Sequence, residues 1–171
     1  MNGILSRMGM IASVALLSAC GGGNSEPAAE QETTAASTEA ATAPAPAPVE
    51  AAPGPDETDT LDGTTLASMT ADATHGGQVF IQCKSCHALE AGVNKIGPSL
   101  AGVVGRTAGT VEGYTYSDAN KNSGITWTKE KLYQYLEKPQ RVVPGTKMAF
   151  AGLPKGQDRA DVIAYLETGG Q

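Results

Sequence analysis

Two cysteines and a histidine in the order Cys83-Lys84-Ser85-Cys86-His87 constrain this chain more than any other feature. The C-x-x-C-H spacing reads as a site for covalent attachment of one haem. Two thiols separated by two residues can each form a thioether with one vinyl group of the ring. The histidine that follows is then placed to ligate the iron. A redox-active dithiol and half of a zinc site use the same cysteine spacing. The first calls for a βαβ pattern and the second for another ligand pair, and the sequence shows neither.

A third cysteine, Cys20, closes Leu17-Ser18-Ala19-Cys20 behind Arg7 and the apolar run from Met8 to Leu17. A basic start, a short apolar run and small residues before the cut make an export signal, and the run is too short to span a bilayer. Small residues followed by cysteine resemble the bacterial lipobox, in which the cysteine is lipidated and becomes the new N-terminus. An ordinary signal peptide cut at another small residue is the alternative. We read 1–19 as the signal, 20–65 as a lipidated start with a disordered tether, and 66–171 as the folded domain. Gly21 stands where many inner-membrane lipoproteins carry aspartate, so the membrane holding the lipid stays open.

The net charge of −6 belongs to the tether. Nine of the 18 acidic residues lie between Glu26 and Asp62, a stretch without Lys or Arg, whereas 11 basic and nine acidic residues follow Leu66. The acidic pI therefore says little about the domain's surface. Ala, Pro, Thr and Glu dominate 21–65, too few apolar groups to offset the entropy of ordering. A flexible chain of that length would average roughly 40 Å end to end and reach about 150 Å.

The rest suits one small helical domain. Helices are expected from Asp72 to Cys83, from Thr128 to Lys138 with Pro139 as its stop, and from Asp158 to Thr168, joined by long Gly-, Pro- and Asn-rich loops with no strand pattern. Large apolar side chains are scarce, so a buried haem would supply much of the core. Three residues beyond His87 are candidates for the iron's sixth position. Met69 lies at the domain edge. His75 opens the helix that leads into Cys83, and its ordinary reading is a solvated helix-start histidine. Met148 sits in the loop Pro144–Met148, where the competing reading is a gap-filling core residue.

From about Gly76 onward the chain resembles mitochondrial cytochrome c and its class I bacterial relatives. The resemblance rests on Cys83–His87, Lys95-Ile96-Gly97-Pro98-Ser99-Leu100, Gly105-Arg106, Tyr114 through Asn122, Gly124-Ile125-Thr126-Trp127, Tyr135-Leu136-Glu137, Pro144–Met148, Phe150-Ala151-Gly152 and Ile163-Ala164-Tyr165-Leu166, in family order. It implies an all-α class I cytochrome c fold, about three main helices plus short ones around a single covalent haem c. It implies Met148 as the sixth ligand and a hydrogen bond from His87 to the Pro98 carbonyl. It places Tyr135 and Thr146 near the Met148 sulfur, Asn120 in the same polar network, and Arg106, Tyr116 and Trp127 at a haem propionate. Gly76, Phe80, Val162 and Tyr165 would form the crossing of the first and last helices. Two departures stand out. The interval from Phe80 to Cys83 is one residue shorter than in the mitochondrial form, and Gln140 and Arg141 replace consecutive lysines.

The expected function is a membrane-tethered, periplasmic, monomeric electron carrier, not an enzyme and not a nucleic-acid binder. Lys84, Lys95, Lys147 and Lys155 would ring the exposed haem edge and steer docking. By family resemblance the donor is a quinol-oxidising cytochrome bc complex and the acceptor a haem–copper terminal oxidase; a photosynthetic reaction centre or a reductase is the alternative acceptor. A peroxidase would need an open iron position and a distal acid/base group. A sensor would work by losing Met148.

Overall fold

Asp72 begins the first helix because its carboxylate can take the place of a missing helical carbonyl. In the computed structural model, which describes residues 51–171, it accepts from the N–H groups of Thr74 and His75 at 2.8 and 3.2 Å. The expected signal, Cys20 and the tether as far as residue 50 lie outside the described residues. Helix α1 spans Ala73–Val79 and then tightens into a 3-10 turn, Phe80–Gln82, which delivers Cys83. The sequence reading carried a single helix through to Cys83. The change of winding suits the short interval, since three residues at about 2.0 Å rise cover the same ~6 Å as four residues of α-helix.

Four more helices follow: α2 (Asp118–Lys121), α3 (Lys129–Glu137), α4 (Pro139–Val142) and α5 (Gly156–Glu167). Thr128 caps α3 by accepting from the Lys131 N–H at 3.1 Å. Pro139 does more than stop α3. A proline needs no N–H partner in a first helical turn, so it also opens α4. Helices α2 and α4, one turn each, carry too little periodicity to be read in advance. Among the described residues there is no strand, only an isolated bridge between Thr107 and Thr126.

Helices α1 and α5 cross at Gly76, where a Cβ would strike the Asp161 carbonyl oxygen. Backbone contact of this kind is what glycine permits. Phe80 and Tyr165 stack beside the crossing with ring centroids 5.4 Å apart. Asp161, nearly inaccessible on α5, ties the helices together. It accepts from the Asp72 N–H at 2.8 Å and from Gln157 at 2.7 Å, and its other oxygen lies 2.7 Å from His75 Nδ1. Burial pushes the Asp161 carboxyl upward, but these hydrogen bonds outweigh it and hold its pKa below the ordinary value. His75 is thus a half-exposed partner of Asp161 rather than a merely solvated histidine.

The ordered domain begins earlier than residue 66. Residues 54–64, read from composition as the end of the tether, lie along α3 as a strap. Lys131 Nζ donates to the carbonyls of Gly54 and Glu57 at 2.8 and 2.7 Å, and Gln134 Nε2 to that of Asp59 at 2.8 Å. Lys131 and Gln134 are consequently 1% and 0% exposed. Composition correctly showed that this segment lacks apolar groups. It could not show that the domain offers buried donors to the segment's backbone carbonyls.

Candidate haem site

The 3-10 turn places Cys83 and Cys86 at the wall of a cavity of about 340 Å³, whose lining also includes His87, Pro98, Leu100, Val103, Leu132, Met148 and Val162. Burial, together with the neighbouring Cys86, pushes the Cys83 thiol up to about 11. A dithiol redox centre or zinc ligand wants the opposite, a thiol readily converted to thiolate. Among the described residues no cluster of His, Cys, Asp or Glu could hold a metal ion.

His87 is fixed by its neighbours. Its Nδ1 lies 2.8 Å from the Pro98 carbonyl oxygen, so that nitrogen carries the proton and Nε2 is left as the basic one. Gly97 presses on the ring so closely that a Cβ there would strike the imidazole. Burial, reinforced by the charge of Lys95, lowers the His87 pKa against the opposing pull of the Pro98 hydrogen bond. A neutral imidazole is the form that ligates a metal.

Met148 lines the same cavity. The loop that carries it turns at Gly145 (φ 85°) and again at Gly152 (φ 108°), both in the left-handed region that glycine occupies without strain. Thr146 Oγ1 accepts from the Met148 N–H at 3.2 Å, and Tyr135 Oη donates to the Met148 sulfur at 3.6 Å. Burial raises the Tyr135 pKa, so the phenol keeps its donor proton at neutral pH.

The cavity is mostly apolar with a few polar residues in its lining. Arg106, Tyr116, Asn120 and Trp127 all line it. Arg106 is oriented by the carbonyls of Ala101 and Ser99 at 2.8 and 3.0 Å. Asn120 keeps a buried carboxamide oxygen without a partner, a polar atom that a bound group or water would satisfy. An apolar slot lined by two thiols, an oriented imidazole, a thioether, a cation and an amide fits a haem. His75 and Met69 are not among the lining residues.

The four lysines expected to ring the opening are not equivalent. Lys147 lines the cavity and donates to the Thr115 carbonyl at 2.8 Å. Lys95 Nζ reaches the Lys84 carbonyl at 2.9 Å, which brings those two together next to Cys83. Lys155 stands apart as the residue before α5 and does not line the cavity. Sequence reasoning missed Ile96, which is 78% exposed at the mouth, and Tyr114, whose hydroxyl donates to the Ile96 carbonyl at 2.8 Å. Ile96 sits one residue from Gly97 and Pro98, and that adjacency was the available signal.

A small helical domain that closes around a C-x-x-C-H segment and an apolar slot is a covalent haem protein of the electron-transfer class. Residues 73–170 match the family model for Cytochrome c, and the chain belongs to that family. It is 53% identical over 97 residues to cytochrome c 2.1 of Caenorhabditis elegans, covering 56% of this chain and 87% of that protein. It is 54% identical over 97 residues to cytochrome c2 of Blastochloris viridis, covering 56% and 76%. Among solved structures, cytochrome cH from Methylobacterium extorquens superposes with a TM-score of 0.55 at 47% identity, over 57% of this chain and 99% of that one. The protein carries covalently attached haem c and is an electron carrier rather than an enzyme.

Proposed function

We propose that this protein is a His–Met ligated carrier, tethered outside the cytoplasm by lipid on Cys20, that shuttles electrons between membrane redox complexes. The observation that carries the reading is that one cavity is lined by both an imidazole locked by Pro98 and a thioether held by Tyr135. When bound, haem c supplies reversible one-electron chemistry, and a methionine opposite a histidine favours the reduced state. The chain's part is to hold both ligands in either state. Gly97 and Pro98 fix the imidazole's orientation, Tyr135 and Thr146 fix the thioether, and the surrounding apolar side chains exclude water. Arg106, Tyr116 and Trp127 supply the polar groups that a propionate needs, and Asn120 joins the polar network around Met148.

The ferric protein at neutral pH will show the weak far-red absorption of methionine–iron ligation, and Met148→Leu will abolish it. A protein without that band has an open iron position, which would point instead to peroxidase or sensor chemistry.

Tethering raises the local concentration of the carrier at the membrane without tighter docking. Lys84, Lys95 and Lys147 support docking on acidic partner faces, with a cytochrome bc complex as donor and a haem–copper oxidase as acceptor. Isolated membranes should therefore oxidise the reduced protein. Lys147→Glu should slow that oxidation several-fold at low ionic strength, and the difference should shrink as salt screens the charges. Equal rates for the two proteins at low salt would refute steering by Lys147.

A further inference from the structure

We infer that the strap 54–64 is a positioning segment for the sixth ligand, clamping both limbs of the loop that carries Met148; the inference rests on Met148 as that ligand. On the descending limb the joint is Arg159, which is 0% exposed. Its Nη1 donates to the Leu153 carbonyl at 2.9 Å, while Nη2 donates to Asp62 Oδ2 at 2.6 Å and to Thr64 Oγ1 at 3.0 Å. One planar guanidinium thus spans from the strap to the residues just past Gly152. The guanidinium carbon lies 4.4 Å from the centre of the Tyr133 ring, and Tyr133 Oη meets Thr64 Oγ1 at 2.8 Å.

On the ascending limb, Arg141 of α4 donates to the Asp59 carbonyl at 3.2 Å, and Ala52 and Pro53 share a hollow with Val142, Val143 and Pro144. Between the two joints, the Leu61 and Asp62 N–H groups donate to the Glu137 carboxylate at 2.7 and 3.0 Å, at the end of α3 where Gly152 packs. The strap therefore touches the chain before and after Met148 but is not among the residues that line the cavity. Loosening it frees the loop without altering the cysteine or histidine attachments.

An external ligand that competes with Met148 reads this directly, because its apparent affinity scales with the fraction of molecules whose loop is open. Imidazole is titrated into the full-length ferric holoprotein at pH 7 while the far-red band is followed. Asp62→Ala should tighten imidazole binding about fivefold, and adding Arg141→Met should tighten it further. Ile163→Val, a core change in α5 away from the strap, should lower the melting temperature and leave the imidazole affinity unchanged. If Asp62→Ala lowers the melting temperature but shifts imidazole affinity less than twofold, the strap only braces the domain and the inference fails. If the unsubstituted protein lacks the far-red band, the Met148 reading itself fails, and the inference falls with it.

Discussion

Replacing both haem-attaching cysteines, Cys83→Ala/Cys86→Ala, will leave a domain without a cooperative thermal transition. The cavity of about 340 Å³ is bounded by residues spread along the chain from Phe80 to Leu166. At about 24 cal/mol per Å³ of cavity, leaving it unfilled costs about 8 kcal/mol. That is an upper bound, because the mouth admits water to part of the space. Even half of it, about 4 kcal/mol, approaches the lower end of the whole stability of a domain this size, which is about 5–15 kcal/mol. The chain has little with which to compensate: the large side chains of the core are Phe80, Trp127, Tyr133 and Tyr135, and all but Tyr133 line the cavity. Near- and far-ultraviolet circular dichroism of the purified variant, melted against the holoprotein, checks the expectation. A sigmoidal melt with native-like near-ultraviolet signal in the variant would show that the polypeptide folds without its prosthetic group.

The same scarcity explains what the sequence could and could not reveal. Haem attachment was legible because covalent chemistry demands a fixed local spacing, and Cys83, Cys86 and His87 satisfy it within five residues. Met148 was harder. Nothing local separates it from Met69, and only the resemblance did so; Tyr135, which holds its sulfur, lies 13 residues away. The three main helices followed from caps and periodicity. The 3-10 winding at Phe80–Gln82 did not, since it answers to the distance the chain must cover.

The strap was illegible for a physical reason. Its affinity for the domain resides in backbone carbonyls, which every sequence has, and in Lys131, Gln134 and Arg159, polar residues of α3 and α5 that carry no hydrophobic signal. Leu61, the one large apolar residue in the strap, is 52% exposed. Buried cations facing main-chain oxygens leave no hydrophobic pattern, so composition alone carries the tether through residues 54–64, which the domain holds.

Arg159→Leu will be the most damaging single substitution outside the haem cavity, with a loss of about 3 kcal/mol. Its partners decide that figure. The Leu153 carbonyl, in a buried residue, loses its donor, and Asp62 and Thr64 lose theirs. Burial alone would lower the Arg159 pKa, but hydrogen bonds to Asp62 and Tyr133 raise it on balance, so the guanidinium stays charged within the fold. Asp62 contributes less from its own side. Its side chain is 31% exposed, so solvent replaces part of the pairing, and Asp62→Ala should cost only about 1 kcal/mol. Arg159→Leu should accordingly lower the melting temperature by about 12–24 °C, and Asp62→Ala by about a third as much. Thermal melts of the two holoproteins test the asymmetry. Equal losses would mean that the ion pair itself carries the energy. The expected inequality means that Arg159 acts chiefly as a hub of buried hydrogen bonds, with the strap as one of several spokes. A spoke of this kind can be loosened to free the Met148 loop while the domain stays folded.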